Sequence, residues 1–143
     1  MIKIGILATA ALLLATPSFA QTMGSCPSAG SSAVSTPAQV HFDLGSAVLK
    51  PEAKPVIAKA AETAKARQSV KVCLIGWTDK LGSKNYNEKL AQSRAQAGAA
   101  ELARNGYPAK NIIISLNSEA FGDVSFGSKD SQEKDRRVEI VFR

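Results

Sequence analysis

The chain has 143 residues, of which 45% are hydrophobic, and 18 Lys and Arg against 12 Asp and Glu give it a formal net charge of +6. This length accommodates one domain with a short extension. The basic residues form no stripe interleaved with aromatic side chains, which disfavours a nucleic-acid partner.

Residues 1–20 are typical of a secretory signal peptide. Lys3 gives a positive start, residues 4–15 are almost wholly apolar, and Ser18–Ala20 provides small residues for cleavage before Gln21. The apolar run is shorter than a bilayer-spanning helix requires. No later stretch is longer, so the mature chain is predicted to have no spanning segment; an uncleaved membrane anchor is the alternative. Cys26 follows a polar stretch, which argues against lipidation.

Residues 21–37 are predicted to be a flexible linker, because they are rich in Ser, Ala, Gly, Thr and Pro and carry no charge. Two cysteines in an exported protein favour one disulfide, between Cys26 in this linker and Cys73 in a predicted strand. Alternation places Cys73 on the sheet face away from the helices, where the linker could be pinned. Two free thiols are the alternative, with Cys73 as a small core residue.

Strand and helix patterns alternate through residues 38–143. The predicted elements are a strand at 39–42, a helix opened by Pro51 or starting later because of Pro55, a strand at 70–75, a helix at 83–105, a strand at 112–116 and a strand at 138–142. A long polar loop at 118–135 precedes the last strand. This order predicts an α/β fold, a two-layer βαβαβ-β sandwich whose mixed four-stranded sheet carries the helices on one face.

The second predicted helix carries small side chains on one face. Helical spacing brings together Ala91, Ala95, Gly98, Ala99 and Leu102. Such a face predicts a close approach of the helix to the sheet.

Asp79 and Arg94 form the main candidate site. Asp79 follows a strand, and Arg94 lies on the next helix, on the same side as Asn87 and Leu90. A carboxylate binds an ammonium, and a guanidinium forks onto a carboxylate, so the pair can hold both charged ends of a free amino acid. The alternative is a surface salt bridge between the two residues, worth about 0 to 1 kcal/mol.

Four blocks of sequence, in order, resemble the peptidoglycan-binding domain shared by OmpA, Pal and MotB. The strongest is G-x-T-D-x-x-G-S-x-x-Y-N-x-x-L-x-x-x-R-A at residues 76–95, and the others begin at His41, Gly106 and Asp135. Trp77 stands where that family usually has His, Tyr or Phe. The resemblance covers residues 38–143, which are therefore identified as an OmpA-like domain.

The resemblance implies binding of peptidoglycan through the diaminopimelate of its stem peptide, in the periplasm and in association with the outer membrane or cell wall. By position, Asp79 would bind the diaminopimelate ammonium and Arg94 its α-carboxylate. The other ligand-contacting positions would be Phe42 and Asp43 at the rim, Thr78, Asn87, Leu90 and Arg136.

Each of these secondary positions has a structural alternative. Phe42 and Leu90 are also typical of a core, and Asn87 can cap local backbone. Arg137 competes with Arg136, because strand alternation points the two side chains to opposite faces.

The sequence does not predict an enzyme, a cofactor or a metal site. His41 is the single histidine, and neither a nucleophile arrangement nor metal-ligand spacing accompanies it. The second functional hypothesis is a periplasmic adaptor that keeps the fold and binds an envelope protein partner through Trp77 and the loop at 118–135.

Overall fold

The fold was determined from a computed structural model, which describes residues 22–24, 26, 38–68, 71–77, 83–117 and 135–143. Strands and helices alternate through these ranges. The elements are β1 (Thr22–Met23), β2 (Ala38–His41), α1 (Ala53–Ala66), β3 (Val72–Gly76), α2 (Lys84–Arg104), β4 (Ile112–Leu116) and β5 (Arg137–Phe142). A 3-10 turn at Ala109–Asn111 leads into β4.

The predicted mixed sheet is confirmed. The strand order is β1-β4-β3-β5-β2, with β3 and β4 parallel and β5 antiparallel to both β3 and β2. Alternate strand residues point into one hydrophobic core, where they meet the buried faces of α1 and α2. Both helices therefore cover the same face of the sheet, as the sequence predicted.

The stretch predicted as a linker contributes a fifth strand. Thr22 and Met23 pair in parallel with Ile113 and Ile114, and the Gly24 N–H donates to the Ile114 carbonyl at 3.1 Å. A disulfide joins Cys26 to Cys73, whose side chain is on the face opposite the helices. Thr22 and Met23, which the sequence places in a flexible linker at 21–37, are thus part of the sheet.

The first helix begins at Ala53, two residues after Pro51. The Ala53 N–H donates to the Lys50 carbonyl in the preceding turn. Pro55 is then the third helical residue, where a backbone N–H would have no partner within the helix. Starting the helix at Ala53 therefore accommodates Pro55 without the loss of a hydrogen bond.

The close approach of α2 to the sheet is also confirmed. The predicted small face is buried, and a Cβ built on Gly76 of β3 would lie 2.6 Å from the Ala91 carbonyl oxygen. Only a residue without a side chain fits there. Neither helix in the described ranges has both the length and the apolar character of a membrane span.

The strand directions define two ends of the domain. At the loop end, β3 finishes and α2 starts, beside residues 42–52 and Arg136. At the basal end, β3 and β4 start and β5 finishes, beside residues 65–68, 71, 104–111 and 143. The candidate site belongs to the loop end.

Candidate functional site

Arg94 is a buried cation at the loop end. Only 1% of its surface is exposed. Its Nε donates to the Ser46 carbonyl at 2.8 Å and its Nη2 to the Asp43 carbonyl at 3.0 Å. Its Cζ lies 5.5 Å from the centroid of the Phe42 ring, within the range of a cation–π contact. Arg94 is thus fixed in orientation by the loop that follows β2.

Arg136 reaches the same loop from the start of β5. Its Nε donates to the Phe42 carbonyl at 3.2 Å, and the Phe42 N–H donates to the Arg136 carbonyl at 2.9 Å. Arg136 therefore binds the Phe42 carbonyl, and Arg94 binds the carbonyl of the next residue, Asp43. Two cations beside one turn make this end of the site electropositive and suited to a carboxylate.

The turn that presents these carbonyls is held by local bonds. The Ser46 N–H donates to the Asp43 carbonyl at 3.1 Å, and the Val48 N–H donates to Ser46 Oγ at 3.1 Å. Gly45 has φ +66°, a left-handed conformation that glycine adopts at little cost. The Asp43 carboxylate, at 71% side-chain exposure, pairs with Lys50 Nζ at 3.2 Å.

The start of α2 forms the facing side of the site. Ser83 caps the helix, because its Oγ accepts from the Tyr86 N–H at 3.2 Å. Asn87 is 5% exposed, and Leu90 is half-buried beside it on the helix. One further turn along the same side brings Arg94 to the loop.

Asp79 and Thr78 lie outside the described residues, so their arrangement with Arg94 stays a prediction. The structure brings the other predicted site residues, Phe42, Asp43, Asn87, Leu90, Arg94 and Arg136, to the loop end. Phe42 differs from its predicted place at the rim, because its ring is 1% exposed and belongs to the core. Strand alternation explains this difference, since Val40 and Phe42 point to the same helix-covered face. Asp43 contacts Arg94 through its backbone.

Arg136, directly before β5, and Arg137, its first residue, point to different sides, as strand alternation predicts. Arg136 turns to the Phe42 loop, whereas Arg137 lies on the other face of the sheet, with its Cζ 4.0 Å from the centroid of the Trp77 ring. Arg137 also donates from Nε to Glu139 Oε1 at 2.9 Å. Arg137 therefore belongs to a stacked cluster outside the candidate site.

Ser46 is the site residue that sequence reasoning missed. Its main-chain carbonyl accepts a hydrogen bond from Arg94. Every residue type has this carbonyl, so the identity of the side chain does not indicate the contact. The glycine before Ser46 was the available signal, because it marks a tight turn. Within the described ranges no group of three or more His, Cys, Asp or Glu residues has the arrangement of a metal site.

Comparison with known proteins places the site in a family. Residues 41–139 match the OmpA family. The chain is 32% identical over 106 residues to the probable lipoprotein YiaD of Escherichia coli, covering 74% of this chain and 48% of that protein. It is 29% identical over 103 residues to outer membrane protein A of Bordetella avium, covering 72% and 53% respectively.

Solved structures share the fold at lower identity. The peptidoglycan-associated lipoprotein of Burkholderia pseudomallei aligns with a TM-score of 0.62 and 24% identity, covering 73% of this chain and 89% of that one. The C-terminal domain of Helicobacter pylori MotB aligns with a TM-score of 0.59 and 21% identity, covering 76% and 84%.

Three of these relatives are named as an outer membrane protein or a lipoprotein, which indicates the cell envelope as the setting. The chain spans about half of the two curated relatives described above. The match over residues 41–139 extends from the end of β2 into β5 and includes both Arg94 and Arg136. The chain belongs to the OmpA family.

Proposed function

We propose that this domain binds peptidoglycan without cleaving it, through the diaminopimelate of the stem peptide. The observation that carries the proposal is the buried Arg94, fixed by the carbonyls of Asp43 and Ser46 within a segment that matches the OmpA family. One relative by fold is a peptidoglycan-associated lipoprotein. The proposed location is the periplasm, in association with the outer membrane or the cell wall.

The chemistry of diaminopimelate suits a site with a fixed guanidinium. Its free end carries an ammonium and a carboxylate on one carbon. Arg94 and Arg136 supply positive charge for the carboxylate, and Asp79 is assigned to the ammonium. Because two hydrogen bonds already hold the Arg94 guanidinium, little side-chain entropy is lost when a ligand binds.

The burial of Arg94 has a consequence for binding. At 1% exposure Arg94 is covered by the surrounding chain. A ligand carboxylate therefore reaches Arg94 only when the covering chain moves aside, and part of the interaction free energy offsets that movement. Charge-assisted hydrogen bonds contribute about 1.5 to 3 kcal/mol each. Weak binding per site is the expected result.

The first test is co-sedimentation of the domain with purified sacculi. We expect Arg94→Lys to lower binding about tenfold or more, because lysine lacks the fork that grips a carboxylate. Asp79→Asn should lower it as well, through the ammonium. Arg104→Lys is the matched control, since Arg104 is an exposed arginine on the same helix and should bind like the parent. Undiminished binding by both site variants, with thermal melts like the parent's, would refute the proposal.

Calorimetric titration with soluble stem peptides tests the ligand itself. A peptide containing diaminopimelate should bind, whereas the matched peptide containing lysine should bind at least about tenfold more weakly. The two differ by the side-chain carboxylate that is assigned to Arg94. Equal affinities for the two peptides would exclude recognition by that carboxylate.

The adaptor hypothesis receives less support from the structure. Trp77, one of its two proposed contact regions, is half-buried and stacks on Arg137. Its ring is therefore engaged within the domain. The other region lies mostly outside the described residues.

A further inference from the structure

A cleft of about 300 Å³ lies along the outer edge of the sheet, between β2 and the start of α1. Its strand side is formed by Gln39, Val40 and His41. Its helix side is formed by residues from the turn before α1 and from the first turn of that helix: Lys50, Glu52, Ala53 and Val56. None of these lining residues belongs to α2, which carries Arg94. The cleft is therefore a surface separate from the candidate site.

The edge of β2 directs backbone groups into this cleft. β2 is the last strand of the sheet and pairs, among the described residues, with β5 alone. The Phe42 N–H donates to the Arg136 carbonyl, and hydrogen-bonded residues alternate along an antiparallel pair, so Val40 also bonds to β5. Gln39 and His41 therefore direct their N–H and C=O groups away from β5. An extended peptide backbone matches such a row of donors and acceptors.

The α1 side of the cleft provides an apolar contact. Val56 is 37% exposed, although it lies on a helix whose opposite side is in the core. Val40 points to the helix-covered face, and residues opposite each other on neighbouring strands share a face. A residue placed opposite Val40 on an added strand would therefore lie beside Val56, and an apolar side chain there would cover it.

The exposed flank of α1 is basic beyond Val56. Helical spacing places five residues on this flank: Glu52, Val56, Lys59, Thr63 and Arg67. The Glu52 carboxylate lies 3.7 Å from Lys50 Nζ, which balances its charge. In the described part of the chain neither Lys59 nor Arg67 forms an ion pair. The flank therefore complements a ligand with acidic side chains.

The direction of α1 brings this basic flank alongside β2. Both β2 and β3 are antiparallel to β5, so they run in the same direction. The helix that connects them must return the chain, and α1 therefore runs back along β2 from His41 towards Ala38. Lys59 is one turn beyond Val56 in that direction, so acidic side chains would meet it next to Ala38.

We propose that the cleft binds an extended acidic peptide segment of a partner protein, which joins the sheet as a strand beside β2. The backbone groups of Gln39 and His41 pair with the peptide. An apolar side chain opposite Val40 covers Val56, and an acidic side chain two residues later, on the same face, reaches Lys59. This binding does not involve Arg94, so the inference does not rest on the proposed function.

A single strand fits this edge better than a second copy of the domain. α1 packs on β2. Two copies paired through β2 would place their α1 helices over strands about 5 Å apart, whereas packed helices need about 8 to 10 Å between their axes. A peptide strand brings no helix and avoids this conflict.

Fluorescence anisotropy with a synthetic peptide tests the proposal. The probe alternates valine with threonine and carries glutamates towards its carboxyl end, as antiparallel pairing with β2 requires. We expect saturable binding by the mature chain at low salt. The same peptide with N-methyl groups on alternate amides, which removes backbone donors, should bind about tenfold more weakly or less. An absence of binding, or equal affinity for the N-methylated peptide, would overturn the proposal.

A proline at the edge of β2 tests the backbone pairing. Gln39→Pro removes an N–H that points away from β5, so the β2–β5 hydrogen bonds and the thermal melt should be retained. Peptide affinity should fall about tenfold or more. Gln39→Thr keeps the N–H and should bind like the parent. Undiminished binding by a folded Gln39→Pro variant would contradict strand addition.

A charge reversal on α1 tests the acidic preference. Lys59→Glu should weaken binding of the glutamate peptide several-fold and strengthen binding of a matched lysine peptide, with both effects reduced by salt. Lys54→Glu is the matched control, because helical spacing places Lys54 on the other side of α1 from Val56. Equal effects of the two substitutions would overturn the assignment of an acidic ligand.

Amide hydrogen exchange locates the bound peptide. Exchange of the Gln39 and His41 amides should slow when the peptide is added, whereas the Val40 amide, which already bonds to β5, should change little. Slowing confined to other elements would overturn the proposal. A dimer of the chain that Gln39→Pro dissociates would assign the edge to a second copy and would also overturn it.

Sacculus binding distinguishes this inference from the proposed function. Gln39→Pro should sediment with sacculi like the parent, and Arg94→Lys should retain the parent's affinity for the peptide. If Arg94→Lys instead abolished peptide binding while its thermal melt stayed like the parent's, the peptide would belong to the loop-end site and the cleft assignment would be wrong.

Discussion

At the scale of single residues, two arginines with the same chemistry have different roles because of what surrounds them. Arg94 is buried and holds the loop at Asp43 and Ser46, whereas Arg137 stacks on Trp77 on the other sheet face. Burying a guanidinium costs free energy unless hydrogen-bond acceptors replace its hydration, and the loop carbonyls are such acceptors. Burial and acceptor geometry, rather than residue type, therefore set the role of each cation.

Gly76 sets the distance between β3 and α2. We expect Gly76→Ala to lower the free energy of unfolding by about 1 to 3 kcal/mol, because the new methyl would lie 2.6 Å from the Ala91 carbonyl oxygen. Urea denaturation measures the loss. Gly98→Ala is the matched control, since its methyl would lie 3.4 Å from a Leu74 methyl and alanine favours helix. Equal stability of the two variants would contradict the close packing.

Tyr107 should make the free energy of unfolding depend on pH in the alkaline range. Burial disfavours the charged phenolate and raises the pKa of Tyr107 above its usual 10.0. The unfolded chain therefore ionises first, so the contribution of Tyr107 to stability is complete below about pH 10 and is lost as the pH rises through its folded pKa. Denaturation of the parent and of Tyr107→Phe above and below pH 10 measures this. Parallel pH profiles for the two proteins would exclude the effect.

At the scale of elements, local sequence signals predict the helices and the longer strands. Ser83 begins the second helix by capping it, and Pro55 is consistent with a first helix that starts after Pro51. Strand β1 has no such signal, because two residues are too few for an apolar alternation. Its place depends on pairing with β4 and on the disulfide nearby.

The disulfide should stabilise the domain mainly by limiting the unfolded chain. It joins residues 47 apart in sequence, and loop closure of that length contributes about 2 to 4 kcal/mol. We expect reduction of the parent, or the substitution Cys26→Ala, to lower the free energy of unfolding in urea by this amount. The Cys26→Ala variant should then be insensitive to reductant. An identical urea midpoint for the oxidised and reduced parent would contradict this stabilising role.

At the scale of the whole molecule, the sheet separates two surfaces. Strands β3 and β4 are parallel, and a helix follows each of β2 and β3, so the connecting loops lie at two defined ends. Arg94 is at the loop end, and Lys71 and Arg143 are at the basal end. The proposed wall site therefore lies at the end of the domain opposite to the starts of β3 and β4.

The sequence by itself determined the fold class, the order of the main elements and the family resemblance, because these depend on local periodicity and on motif residues close together in the chain. It also indicated Arg94 as a site residue. The tertiary structure alone decided that Phe42 is in the core, that Arg136 rather than Arg137 reaches the loop, and that Thr22–Met23 joins the sheet. Each of these depends on contacts between residues far apart in sequence, which no local pattern records.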